Sequence, residues 1–284
     1  MVKSYNLYMN KTFLKEILVQ KASGEMEPFS EQKLRRSLRK SGASKNLVEA
    51  IVVHIRRELK AGMKTSDIYR HAFSLLRRQE LSVAGRYSLK QGIIDLGPSG
   101  HPFETLVGEL FKAEGFSAKV GQIIKGLCVN HEVDVVAKKG SQRIMAECKF
   151  HNQFGLKSDV KVALYIKARF DDIKAAGQKL DEAWLVTNTK LTQDAIRYAR
   201  CVGMKVLGWN YPVKEGLGAR IDRAGLHPIT CLTSLSRAQK RQLLDRGLVL
   251  CKDLIKRQDL LLVSGMTKIK IDTLKVEVNR LCRF

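Results

Sequence analysis

The residues best suited to chemistry are two carboxylates and a lysine on neighbouring segments: Asp134 in Glu132-Val133-Asp134-Val135-Val136, and Glu147 and Lys149 in Arg143-Ile144-Met145-Ala146-Glu147-Cys148-Lys149. Both segments read as strands. Side chains alternate faces along a strand, so Asp134 is expected opposite Val133 and Val135, and Glu147 shares a face with Lys149. Ile144, Ala146 and Cys148 fall on the other face, which suits a core. If the strands pair, Asp134, Glu147 and Lys149 converge at a sheet edge. Two carboxylates can hold a hard cation such as Mg²⁺ or Mn²⁺ through oxygen. Such an ion polarises a phosphate and acidifies bound water. A lysine beside it orients or deprotonates that water and offsets developing charge. The chemistry indicated is phosphodiester hydrolysis, with Asp134, Glu147 and Lys149 catalytic and Glu104 a third metal-ligating carboxylate. His131 could touch phosphate or close a strand end. His151 and Asn152 fit DNA contact or a loop equally well.

The elements around this set alternate. Pro102 to Glu114 reads as a helix ending at Gly115. Val133 to Val136 and Ile144 to Cys148 are strands, joined by Lys138-Lys139-Gly140-Ser141. A helix is expected over about 157–176, a strand at Ala183 to Thr187, a helix at Thr192 to Cys201 and a strand at Lys205 to Gly208. That alternation predicts an α/β fold, a mixed sheet with flanking helices. Breakers at Gly97-Pro98-Ser99-Gly100 and from Gly216 to Pro228 divide the chain into domains over 15–97, 98–215 and 228–284. The first and last segments are mostly helical.

The chain has 284 residues, 44% hydrophobic and 28% charged, which suits globular domains. Its net charge of +23, spread over all three segments, calls for a polyanionic partner. No apolar run is long enough to span a bilayer, and the first residues lack the pattern of a signal peptide. The expectation is a cytoplasmic protein with no membrane partner, homo-oligomerisation being left open. The six cysteines form no CxxC pair, so neither a zinc site nor a disulfide framework is indicated.

Several motifs together carry a resemblance. Pro102-Phe103-Glu104, Gly115-Phe116, His131-Glu132-Val133-Asp134-Val135-Val136, Ala146-Glu147-Cys148-Lys149 and Leu185-Val186-Thr187-Asn188, with Ala195 and Ala199, resemble the Mrr-type restriction endonuclease domain of the PD-(D/E)xK superfamily. The resemblance covers roughly 100–210. It implies a metal-dependent DNA endonuclease with Asp134 and Glu147 as ligands, Lys149 as the catalytic lysine and Glu104 as the acidic residue of the first helix. Val133 stands where the motif's name has proline.

Residues 15–95 resemble the ATP-cone of ribonucleotide reductases through Val19, Lys21 and Gly24, then Glu27, Phe29, Ser30 and Lys33, then Lys64-Thr65-Ser66-Asp67-Ile68. The resemblance implies ATP or dATP as a regulatory ligand, held by Val19, Lys21, Glu27, Ser30, Lys33 and Thr65. Lys21-Ala22-Ser23-Gly24 departs from the usual Lys-Arg-Asp-Gly, and Tyr69 stands where histidine is frequent. A strand at Ile17 to Lys21, a turn at Ser23-Gly24, a helix from Ser30, a pair of amphipathic helices and a helix capped by Thr65-Ser66-Asp67 are expected here. No P-loop occurs.

In the last segment, Leu243 to Gly247 and Leu260 to Ile269 resemble a helix-hairpin-helix module, with Lys268 and Lys270 placed for DNA phosphates and Thr267 where the second glycine is usual. The sequence thus reads as a DNA endonuclease with an adenine-nucleotide-binding head. The alternative is an inactive, nucleotide-sensing DNA-binding regulator, and RNA as substrate stays open.

Overall fold

The computed structural model describes residues 17–257, 261 and 265–282. The described chain divides between Ser88 and Leu89 into two compact units.

The first unit opens with a hairpin of β1 (Leu18–Gln20) and β2 (Met26–Pro28), which pair antiparallel from Leu18↔Pro28 to Gln20↔Met26. Its turn closes through Lys21 N–H to the Glu25 carbonyl and uses Gly24 at φ +83°, a conformation that disfavours a Cβ. Then come α1 (Glu31–Lys40), α2 (Lys45–Glu58), α3 (Thr65–Gln79) and α4 (Leu81–Tyr87). Ser30 caps α1 by accepting the Lys33 N–H at 3.3 Å, and Glu31 favours the dipole in the first turn. The expected cap at Thr65 is not made. Lys64 is the N-cap residue of α3, with no side-chain cap bond, and Thr65 is already helical. Leu38, Val48, Ile51, Ile55, Ala72 and Leu76 close one core, with Val19 buried among them.

The second unit is built on a five-stranded sheet in the order β3 (Ser117–Lys125), β4 (Asn130–Lys139), β5 (Gln142–Lys149), β7 (Glu182–Thr187), β9 (Lys205–Leu207). β3, β4 and β5 form an antiparallel meander, while β5, β7 and β9 run parallel. The sheet is therefore mixed, as expected, but its edge strand β3 has no counterpart in the sequence reading. β6 (Lys157–Ser158) pairs with β8 (Lys190–Leu191) in a small second sheet.

Helices cover both faces. On one lie α5 (Leu89–Ile94) and α6 (His101–Ala113), which buries Phe103, Leu106, Val107 and Leu110 against Val135, Ala137, Ile144 and Ala146. α9 (Leu217–Arg223), α10 (Arg237–Asp245), α11 (Cys251–Lys256) and α12 (Lys268–Cys282) join the same core through Ile221, Leu243, Leu254 and Leu274. On the other face lie α7 (Val160–Ala175) and α8 (Gln193–Cys201), burying Ala163, Ile166 and Ala195 against Val133, Met145 and Leu185. α7 starts where Asp159 accepts from the N–H groups of Lys161 and Val162, so the segment before it is free to pair as β6.

Phe103 is fully buried between α6 and the sheet. Phe103→Ala should lower the stability of the second unit by about 3–5 kcal/mol through lost burial and a cavity. Both tryptophans, Trp184 and Trp209, belong to this unit, so urea unfolding followed by their fluorescence reads it directly. An unchanged midpoint would contradict the packing described.

Candidate active site

The site arises where two strands part. β4 and β5 pair in register from Lys139↔Gln142 to Val135↔Ala146. Continuing that register would place Asp134 opposite Glu147. Instead the Asp134 carboxylate itself accepts the Cys148 N–H, at 2.6 Å. A side-chain oxygen takes over the role of a ladder carbonyl, so the strands separate while the N–H stays satisfied. β5 keeps its other partner, with Glu147 beside Leu185 and Lys149 beside Thr187 of β7. The fork corrects the expectation of simple alternation: Val135 packs on the α6 side, whereas Val133 packs on the α7 side.

Below the fork lies a cleft of about 390 Å³. Asp134, Glu147 and Lys149 line it from the strands, and Lys161 and Tyr165 line it from α7. The structure thus brings the three principal residues together. Lys149 is exposed at the end of β5, while Glu147 is buried.

The electrostatics are those of crowded carboxylates. Burial, then the charge of Asp134, pushes the Glu147 carboxyl up to about 7, partly opposed by Arg169. Burial also raises Asp134, opposed by the Cys148 N–H, and raises Glu104 of α6, with Asp134's charge adding to the effect. Arg169 of α7 donates from one terminal nitrogen to Glu147 Oε1 at 2.5 Å and to the Glu132 carbonyl at 2.7 Å. Its other terminal nitrogen meets the Tyr165 hydroxyl, and its Nε is buried without a partner among the described residues. Oxygen donors that burial and mutual repulsion make hard to ionise fit a hard divalent cation, and Asp134 and Glu147 would hold it. Among the described residues, Glu104, Asp134 and Glu147 are not gathered within 4.8 Å of one another. Only His54, Glu58 and His71 are gathered so closely.

The loops that aim these groups are tied by side chains. His131 bonds Asp172 at 2.7 Å, and Asp172 also accepts the Cys128 N–H, which fixes the β3–β4 turn on α7. There a Cβ on Gly126 would lie 2.5 Å from the Val129 carbonyl oxygen, a backbone atom, so the turn requires glycine. Beyond Lys149, His151 and Asn188 exchange two bonds: the His151 N–H to Asn188 Oδ1, and Asn188 Nδ2 to the His151 carbonyl. His151 also meets Ser158 of β6 at 3.1 Å. These contacts anchor the end of β5 on the end of β7.

In the first unit, Lys21 lies 3.0 Å and Lys33 3.1 Å from Glu27. The bond from Lys21 holds the Glu27 carboxyl below its usual range. Ser30 is used as the α1 cap, Val19 is in the core, and Thr65 opens α3. Lys64, just before Thr65, bridges to Gln20 of β1, so the three stretches named for nucleotide meet at one end of this unit. In the C-terminal segment, Lys268 is exposed at the start of α12 and Lys270 donates to Gln239 at 2.9 Å. Leu260 and 262–264 of the expected hairpin lie outside the described residues.

Sequence reasoning missed Lys161, Tyr165 and Arg169. A signal was present: they recur every four residues, one stripe on the helix expected over 157–176. A charged stripe reads as a solvated face unless its partner across the sheet is known.

Comparison with known proteins agrees with this geometry. Residues 97–207 match the family of Mrr-type catalytic domains described as restriction endonuclease, and residues 227–282 match the AF1548-like C-terminal family. An uncharacterized protein of Archaeoglobus fulgidus is 40% identical over 149 residues, 52% of this chain and 83% of that protein. The crystal structure of AF1548, a protein of unknown function, aligns at 35% identity and a TM-score of 0.55, over 65% of this chain and 99% of its own. A repair endonuclease from Pyrococcus abyssi aligns at 19% identity over 39% of this chain and 46% of its own, with a TM-score of 0.31, too low to establish a common fold. The chain belongs to the AF1548-like family, with a restriction-endonuclease-type domain at residues 97–207.

Proposed function

We propose that this protein is a Mg²⁺- or Mn²⁺-dependent endonuclease that hydrolyses phosphodiester bonds of DNA. One observation carries the reading: the fork between β4 and β5 sets Asp134 and Glu147 beside Lys149 in one cleft, inside a restriction-endonuclease-type domain. Asp134 and Glu147 would hold the cation, with Glu104 close enough to feel the charge of Asp134. The cation, when bound, supplies charge neutralisation at the phosphate and a more acidic water. Lys149 orients the attacking water and offsets charge as the P–O bond to the leaving oxygen breaks. Lys161 and the exposed end of Lys149 give the phosphate its cationic seat, and the net charge of +23 draws the duplex in.

Ionised Glu147 is the form that binds a cation. Its carboxyl is raised to about 7, so below that pH it is protonated and a proton competes with the metal. At limiting Mg²⁺, cleavage should rise with pH through about 7, and the midpoint should fall as Mg²⁺ is increased. The positive charge of Arg169 favours the ionised form, so in the metal-free protein Arg169→Ala should shift the titration of Glu147 upward. A profile flat from pH 6 to 8 on plasmid DNA would contradict this assignment.

Lys149→Ala and Asp134→Ala should each reduce metal-dependent plasmid cleavage by roughly 100-fold or more. One feature favours the other reading, an inactive DNA-binding regulator: the Arg169 guanidinium already pairs with Glu147, where the cation would sit. Tight DNA binding by parent and both variants, with no cutting under Mg²⁺ or Mn²⁺, would establish that reading instead.

Residues 15–97 serve, on this proposal, as an ATP- or dATP-binding regulatory head. Its support is the cluster of Lys21 and Lys33 about Glu27, cations that a phosphate would recruit from the carboxylate. Lys21→Ala should erase any response of cleavage to ATP or dATP. Equal responses in variant and parent would remove the head from regulation.

A further inference from the structure

His54, Glu58 and His71 form a cluster on the first unit, and none of the three is a residue named for nucleotide. His54 and Glu58 are four apart on α2 and therefore share a face. His71 comes from α3, which packs beside α2. The two imidazoles take one oxygen each of a single carboxylate: His54 Nε2 lies 3.2 Å from Glu58 Oε1, and His71 Nδ1 lies 2.7 Å from Glu58 Oε2. All three ligand atoms fall within 4.8 Å of one another.

We infer that His54, Glu58 and His71 form a binding site for a borderline divalent transition-metal ion such as Zn²⁺, which joins α2 to α3. The donors decide the class of ion. Two imidazole nitrogens and one carboxylate suit Zn²⁺, Co²⁺ or Ni²⁺, whereas the all-oxygen set at Asp134 and Glu147 suits Mg²⁺ or Mn²⁺. The distances decide the fit. Ligands held about 2.0–2.2 Å from a tetrahedral ion lie about 3.3–3.6 Å apart, so from ligand atoms all within 4.8 Å of one another an ion is admitted by side-chain shifts of about 1 Å. Exposure decides access. The three side chains are 40–43% exposed, so an ion enters without unfolding the helices and keeps a fourth position open to water. Nothing in this inference depends on the nuclease reading.

The test uses Co²⁺ as a visible probe, titrated into the untagged full chain carrying Cys128→Ser and Cys201→Ser, which removes the two exposed thiols. With Asp134→Ala also in place to remove the carboxylate site, this parent should bind about one equivalent with visible d–d absorption, no near-ultraviolet thiolate band, and displacement by Zn²⁺. In that background His54→Ala and His71→Ala should each weaken binding about tenfold or more. Zn²⁺ should also raise the thermal midpoint of the parent's helical circular dichroism and leave that of His71→Ala unchanged. These residues are on the surface, so the variants should give the parent's spectrum in the absence of metal. No d–d band in the parent, or equal binding by parent and His71→Ala, would overturn the site and leave a plain set of imidazole–carboxylate pairs.

Discussion

The second unit turns on one hydrogen bond, from the Cys148 N–H to the carboxylate of Asp134. Buried backbone N–H groups need an acceptor, and in an ordinary ladder a carbonyl of the neighbouring strand supplies it. Here a side chain does so, and the regular pairing of β4 with β5 stops at Val135↔Ala146. The consequence is geometric. Glu147 and Lys149 are released from β4 on one side while β7 still holds them in register on the other. A sheet edge is thus opened inside the sheet, and α7 closes the far wall.

Burial sets the charge state of that opening. Asp134, Glu147 and Glu104 are each held above their usual range by lost hydration, and for Glu147 and Glu104 the charge of Asp134 adds to it. Arg169 offsets part of this, but one cation shared among Glu147, the Glu132 carbonyl and Tyr165 does so incompletely, and Glu147 stays raised. The site therefore retains a demand for positive charge, which is the property a cation-dependent nuclease requires. The His151–Asn188 pair holds the end of β5 on β7.

Much of this was legible in the residues. The carboxylates and lysine stand out by type and spacing, and most sheet strands and the flanking helices follow from apolar periodicity, because burial on one face leaves a periodic trace. What periodicity cannot show is departure from a regular ladder. Val133 and Val135 look equivalent in sequence, yet the bond at Asp134 sends them to opposite sides of the sheet. β3 was missed because an edge strand carries weak selection for apolar residues: Ser117 to Lys125 alternates half-buried with exposed positions, Ile123 being 76% exposed. Arg169 was missed because a charge on a helix is informative only once its partner is known. His54, Glu58 and His71 were invisible for a related reason: the spacing within α2 is local, but the third donor comes from another helix.

The central claim is that Asp134 and Glu147 share a divalent cation, for which Arg169 must yield. Anomalous diffraction from crystals soaked in Mn²⁺ tests it directly. The account predicts a peak bonded to oxygens of Asp134 and Glu147, with the Arg169 guanidinium moved off Glu147. No peak at the fork, with Arg169 still on Glu147 at saturating Mn²⁺, would contradict it.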